Sequence, residues 1–296
     1  MKKTKGKRFA DKQTSRELKK LTKQQRHDIK KINTTSLDKN EPTIKKCRNK
    51  NIILDIITFI CIILIIFSSY QIIMWAIENH SNNELLENIQ NQVSITEEAI
   101  NVDGTNISKL NYDFQSLLST NPNTVGWINV PNTNINYPVV QYTDNDYYLT
   151  HSFDNSENSA GWIFADYHNN CNDSDRNIVI YGHNRKDKSM FGSLKNVLNS
   201  DWYSNEENLY INFSTLNETH VYKIFSAFVC NENNIDSYIQ TSFNSDSDYS
   251  SYLQKLKNNS NYNFNTDVND ANQIITLYTC YGLNNQRLLV FAKLVD

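Results

Sequence analysis

Residues Gln273 to Val295 read QIITLYTCYGLNNQRLLVFAKLV, and this stretch decides the fold. Ile274, Ile275 and Leu277 make one short run of β-branched and long apolar side chains. Leu288, Leu289, Val290 and Phe291 make another, with Gly282, Asn284 and Asn285 between them as turn-formers. The pattern predicts strand, short loop, strand. Cys280 then ends the first strand, and Arg287 opens the second, close to the cysteine across the hairpin. A lone cysteine in an apolar strand is ordinarily a small buried hydrophobe, so its chemistry depends on what the rest of the chain brings to it.

From Val125 onward the chain has the same texture, short apolar or aromatic runs split by turn residues. The predicted strands are Val125–Val130, Ile135–Tyr142, Gly161–Ala165, Asn177–Tyr181, Leu209–Phe213, Val221–Val229, Ile274–Thr279 and Leu288–Leu294. Eight short strands with few helices between them imply a mostly β fold closed, or nearly closed, into a barrel. Helical material is expected near Met190–Leu198 and at Tyr249–Leu256. The second lies in an insertion, Asn231–Asn272, just before the cysteine strand. Insertions of that length in a compact domain are lids, binding loops or disorder. Ahead of the barrel, Leu85, Ile89, Val93 and Ile100 predict a helix over Glu84–Asn101. A second is expected over Lys109–Leu118, stopped by Ser119-Thr120-Asn121-Pro122.

The net charge of -3 conceals a division. Residues 1–50 carry 18 Lys and Arg against 5 Asp and Glu, whereas Glu78 to the end carries 11 against 26. Between them Ile56–Ile77 runs for 22 residues without a charge, long enough for a helix across about 30 Å of hydrocarbon. A cleaved secretion signal has a much shorter charged region and a small-x-small cleavage site, which does not follow Trp75, so the segment reads as a retained anchor. The Lys/Arg excess lies on its N-terminal side, which makes the tail cytoplasmic and the acidic body external. Four parts result: a basic tail (1–50), a membrane anchor (51–77), an external helical segment (78–120) and the barrel (121–296). A basic juxtamembrane tail is an orientation and lipid signal, and no nucleic-acid partner is expected.

Cys47 falls in the tail and Cys61 in the span, which leaves Cys171, Cys230 and Cys280 outside. An odd number leaves at least one thiol free, and a Cys171–Cys230 bridge stays open. Among the Cys and His residues no spacing suits zinc, and with 7 glycines there is no phosphate-cradling loop. Neither a metal nor a cofactor is expected. A nucleophilic cysteine needs a base or a lowered pKa. Of His151, His168, His183 and His220, His183 has the relevant setting: it ends the apolar strand IVIYGH before a polar loop. Cys280 has the same layout. With Arg287 the two could supply nucleophile, proton carrier and a cation for developing negative charge.

These segments resemble sortases, the cysteine transpeptidases of Gram-positive cell surfaces. The matching words are TLYTC at Thr276–Cys280, Arg287 in RLLVFAKLV, and NIVIYGHN at Asn177–Asn184. NPNTVGWINVP at Asn121–Pro131, YYLTHSFDNSENSAGWIFADYHN at Tyr147–Asn169, KSMFGSL at Lys188–Leu194 and the helix-bearing insertion resemble class B. The resemblance implies a sortase-type eight-stranded barrel behind N-terminal helices and one transmembrane helix. It also implies attack of Cys280 on the threonine carbonyl of an NPxT-, SPxT- or LPxT-like sorting signal of a secreted protein. His183 would carry the proton and Arg287 would bind the oxyanion, while Leu277, Tyr278, Thr279 and Tyr281 would contact substrate. An amine from a peptidoglycan precursor or a pilin would then release the acyl group. The chain departs from class B in having six residues between Cys280 and Arg287, Gly282 where an acidic residue is common, and Tyr278 in place of a small Ser. Asn121-Pro122-Asn123-Thr124 looks like a sorting signal but has no hydrophobic tail after it, and reads as fold. A cysteine hydrolase of surface peptides and a catalytically inert surface-binding module are the alternatives.

Overall fold

A computed structural model describes residues 25, 41–172, 174–282 and 285–296, with only the backbone for 41–51. Most of the expected basic tail lies outside these residues. The chain divides into two compact units, Met1–Ile73 and Met74–Asp296. Helix α1, Glu41–Gln92, runs through the division. From Ile52 to Ile73 its apolar side chains are exposed, and the helix from Ile52 is long and apolar enough to cross a membrane.

In the second unit, Ile89 and Val93 are buried with Leu85 packed beside them, as the helical spacing predicted. Asn82 accepts hydrogen bonds from Ser152 Oγ (2.9 Å) and Asn158 Nδ2 (3.0 Å), which fastens the end of α1 to the loop that follows. The helix expected over Glu84–Asn101 stops at Gln92, however, and the helix expected over Lys109–Leu118 shrinks to α2, Gln115–Thr120. Between them is a hairpin, β1 (Ile95–Val102) and β2 (Thr105–Tyr112), in which Ile100 faces Ile107. Its turn is Asp103-Gly104, both with positive φ (51° and 86°), the backbone that a tight two-residue hairpin requires. The Asp-Gly pair outweighs the helical spacing of the flanking apolar residues. Leu110, Asn212 and Ser214 exchange hydrogen bonds, and Tyr112 stacks on Trp127 at 4.7 Å, so the hairpin is sealed against the barrel.

The barrel is closed in the order β10-β8-β7-β3-β4-β5-β6-β9. Its strands are β3 (Thr124–Asn129), β4 (Asn136–Val140), β5 (Phe164–Ala165), β6 (Asn177–Tyr181), β7 (Tyr210–Thr215), β8 (Thr219–Asn231), β9 (Ile274–Tyr281) and β10 (Gln286–Leu294). All eight predicted strands are present; the one expected over Gly161–Ala165 keeps only its last two residues. The sheet is antiparallel except where β4 meets β5 and where β6 meets β9. Closure leaves no open edge, and alternate side chains fill the interior. Asn121, at the head of the signal-like NPNT, is fully buried and donates to Tyr148 Oη and the Phe153 carbonyl, so this word belongs to the fold.

The insertion carries a short turn, Glu232–Ser237, and helix α3, Asp246–Asn259. Ser245 caps the helix by accepting from the Asp248 amide, with Asp246 and Asp248 in the favourable first turn. Tyr249, Tyr252, Leu253 and Leu256 make one apolar face, spaced at three and four residues. They pack on Phe225, Phe228, Ile274, Leu289 and Phe291, which point outward from β8, β9 and β10. A second small core thus sits on the outside of the barrel. Leu256 is fully buried in it. Leu256→Ala is expected to lower stability by about 2–5 kcal/mol through the cavity it leaves, read as the shift in urea midpoint of the detergent-solubilised protein.

Candidate active site

Strand register builds the site. β6 and β9 run parallel with Tyr181 beside Tyr278 as the last pair. The Gly182 amide still donates to the Tyr278 carbonyl (3.2 Å), and Thr279 Oγ1 donates to the Gly182 carbonyl (2.7 Å). His183 and Cys280 each follow two residues after that pair, so the two chains deliver them to the same end of the barrel. On the other flank β10 is antiparallel to β9, with Arg287 directly opposite Cys280. Three adjacent strands therefore offer His183, Cys280 and Arg287 to one cleft of ≈ 410 Å³, which all three line.

Cys280 is exposed and its thiol is free. Cys171 and Cys230 are free as well, so they do not form the bridge left open by the sequence. Cys171 is buried, and burial, with Asp175 and Asp166 nearby, pushes its thiol up to about 12. A thiol in that state is inert. Burial also raises the half-buried Cys230, against the neighbouring positive charge of Arg287.

His183 Nε2 lies 2.9 Å from the Leu149 carbonyl. A carbonyl can only accept, so Nε2 bears a hydrogen and Nδ1 is left to exchange the second proton. Gly161 makes this contact possible. A Cβ there would stand 2.5 Å from the Tyr148 carbonyl, 2.8 Å from the Leu149 carbonyl and 3.0 Å from His183 Cδ2, and its φ of 58° disfavours any side chain. The other histidines of the barrel part are engaged elsewhere: His151 stacks on Tyr147, His168 bonds Asp166 and His220 pairs with Glu218. None of them lines the cleft.

The arginine is held on several sides. Nε donates to Tyr278 Oη (2.8 Å), Nη1 to the Gln286 carbonyl (3.0 Å), and Nη2 pairs with Glu232 Oε1 (2.5 Å). Burial works against its charge, but the Tyr278 bond and the field of Cys280 and Glu232 outweigh it and raise the guanidinium pKa further. Tyr278 meets Tyr181 edge-on at 5.1 Å, and Tyr181 donates to Asp166 (2.7 Å). Burial alone would raise the Asp166 carboxyl; bonds from the His168 amide, the Tyr181 hydroxyl, the His168 ring and the Asn145 amide reverse this and hold it below the usual carboxylate range. Asp166 is therefore charged at neutral pH.

The four residues expected to touch substrate separate by strand alternation. Tyr278 lines the cleft. Leu277 is fully buried in the barrel core, and Thr279 is buried with its hydroxyl on the Gly182 carbonyl, so neither presents its side chain to the cleft. Tyr281 is half-buried and packs against the main core. Sequence reasoning treated consecutive residues as one surface, whereas a strand sends them to opposite faces. It also missed Tyr181, Glu232, Ile235, Asp236 and Ile239, which line the cleft as well. The signal available for Glu232 was its position at the end of an apolar strand, the same criterion that singled out His183 and Cys280.

Comparison with known proteins agrees with this architecture. Residues 128–295 match the family model for the sortase domain. The sortase B of Listeria monocytogenes serovar 1/2a is 33% identical over 249 residues, which span 81% of this chain and 95% of the relative. The crystal structure of sortase B from B. anthracis in complex with AAEK1 superposes with a TM-score of 0.63 at 34% identity, covering 74% of this chain and 99% of that one. A sortase B complexed with triglycine gives 0.57 at 32%, covering 62% and 85%. The chain belongs to the sortase family and is a cysteine transpeptidase. Within the family it is sortase B-like.

Gly161→Ala is expected to force the Leu149 carbonyl and the His183 ring apart. Transpeptidation should fall by about 10²-fold, the usual result of a displacement of about 1 Å at a reacting group, and the His183 ring resonances should shift in NMR spectra.

Proposed function

We propose that the protein is a single-pass membrane enzyme whose external barrel cleaves the C-terminal sorting signal of secreted proteins at its threonine and transfers the threonyl acyl group of the protein to an amine. Cys280 is the nucleophile, His183 the proton carrier and Arg287 the oxyanion partner. The observation that carries this reading is the meeting of the three at one cleft on adjacent strands β6, β9 and β10.

The steps follow from the residue chemistry. Cys280 gives its proton to His183, and the thiolate adds to the threonine carbonyl of an NPxT-, SPxT- or LPxT-like signal. The developing oxyanion faces the Arg287 guanidinium, a delocalised cation that presents several N–H groups in a fixed plane. Collapse expels the downstream amine with the proton from His183 and leaves a thioester on Cys280. An incoming amine from a peptidoglycan precursor or a pilin attacks that thioester, passes a proton to His183 and releases the thiolate. Atoms balance without a cofactor. The triglycine in the related sortase B complex is a peptide with a free terminal amine, which supports an amine acceptor here.

The basic excess of residues 1–50 supports a cytoplasmic tail and an external barrel, with 51–77 as the anchor, 78–120 as the connecting segment and 121–296 as the catalytic part. Apolar residues Leu149, Ile235 and Ile239 line the cleft, which suits a peptide with uncharged side chains ahead of its threonine.

Cys280→Ala is expected to abolish the thioacyl adduct, His183→Ala to reduce turnover by about 10²–10⁴-fold, and Arg287→Ala by about 10²–10³-fold. The measurement is mass spectrometry of the acyl-enzyme formed with NPxTx, SPxTx and LPxTx peptides, followed by addition of triglycine. A ligated product supports the reading. An acyl-enzyme in Cys280→Ala rejects Cys280 as nucleophile, and free acid alone in the presence of triglycine identifies a hydrolase.

A further inference from the structure

The guanidinium of Arg287 has five N–H groups. One is committed to Tyr278 Oη, one to the Gln286 carbonyl and one to Glu232. Each terminal nitrogen therefore keeps one N–H uncommitted, a pair suited to a substrate carbonyl that becomes an oxyanion. Without the Tyr278 and Glu232 bonds the long side chain is free to rotate, and the pair has no fixed direction.

Glu232 comes from a distant part of the sequence. It opens the Glu232–Ser237 turn that begins the insertion, and its amide donates to the Asn285 carbonyl (2.8 Å) in the loop between β9 and β10. The same turn contributes Ile235 and Asp236 to the cleft, with Ile239 just beyond. One short segment thus forms a wall of the cleft, holds the β9–β10 loop by its backbone and holds the arginine by its side chain. That loop has Gly282 two positions after the cysteine and offers no carboxylate there, and Glu232 supplies one from the end of the neighbouring strand β8.

We propose that Glu232 is a positioning residue for the transpeptidation reaction. Together with Tyr278 it fixes the plane of the Arg287 guanidinium, so that the wall facing the sorting peptide also sets the oxyanion partner. This rests on the assignment of Arg287 given above. The Glu232 side chain is 45% exposed, and ion pairs this open add little to folding stability. The effect therefore belongs to the rate of acylation.

The test is a double-mutant cycle on the full-length protein in detergent, reading kcat and KM for acylation by a cleaved sorting peptide, with thermal unfolding in parallel. Glu232→Ala is expected to lower kcat about tenfold or more with KM within about twofold and an unmoved unfolding midpoint. Glu232→Gln, which keeps one acceptor but no charge, is expected to recover part of the loss. In an Arg287→Ala background, Glu232→Ala is expected to change nothing further. Equal losses in both backgrounds would show that Glu232 acts apart from the arginine and would overturn the proposal. So would an unchanged kcat, or a faster one, which would mark the ion pair as a restraint on the arginine. Arg287→Ala alone separates the two levels: wild-type acylation in that variant removes the arginine's assigned role, whereas a slow variant combined with equal Glu232 losses removes only the role of Glu232.

Discussion

Strand β9 is the constraint on which the site depends. It is gripped by a parallel neighbour on one side and an antiparallel one on the other, with every residue from Ile274 to Tyr278 paired to β6 and those from Ile274 to Tyr281 to β10. A shift of one residue in either register sends Cys280 into the interior and Thr279 to the cleft. The Thr279 hydroxyl on the Gly182 carbonyl guards against that shift where the ladder ends. It ties the two strands together one residue before His183 and Cys280.

Around this strand the protein has two apolar cores with different tasks. The larger fills the barrel and fixes register from within. The smaller lies outside it, under helix α3, and holds the insertion that walls the cleft. A polar row crosses the floor of the site, from Asp166 through Tyr181 and Tyr278 to Arg287 and Glu232. Its members sit on β6, β9, β10 and two loops, so the groups around the cysteine are braced from both sides.

Much of this was legible in the chain. Short apolar or aromatic runs split by turn residues located all eight strands, and strand ends followed by polar loops singled out His183 and Cys280. The hairpin of β1 and β2 was missed because Leu85, Ile89, Val93 and Ile100 happen to keep a helical spacing. The Asp103-Gly104 pair was the better guide, since two successive residues with positive φ end any helix. Leu277 and Thr279 were set against substrate by adjacency to the cysteine, while strand alternation turns both inward. Glu232 belongs to a third class: only barrel closure, which pairs β8 with β10, brings it to Arg287, and no local pattern encodes that meeting.

The outer core beneath α3 has a consequence for how such an enzyme diversifies. Its contacts are with the outward faces of β8, β9 and β10, and the barrel interior contributes none of them. Residues of α3 can change while the inner packing stays as it is, whereas Phe264 and Tyr262, later in the insertion, belong to the main core. The part of the insertion resting on the outer core is therefore packed independently of the barrel interior, while Glu232 at the start of the insertion stays tied to Arg287.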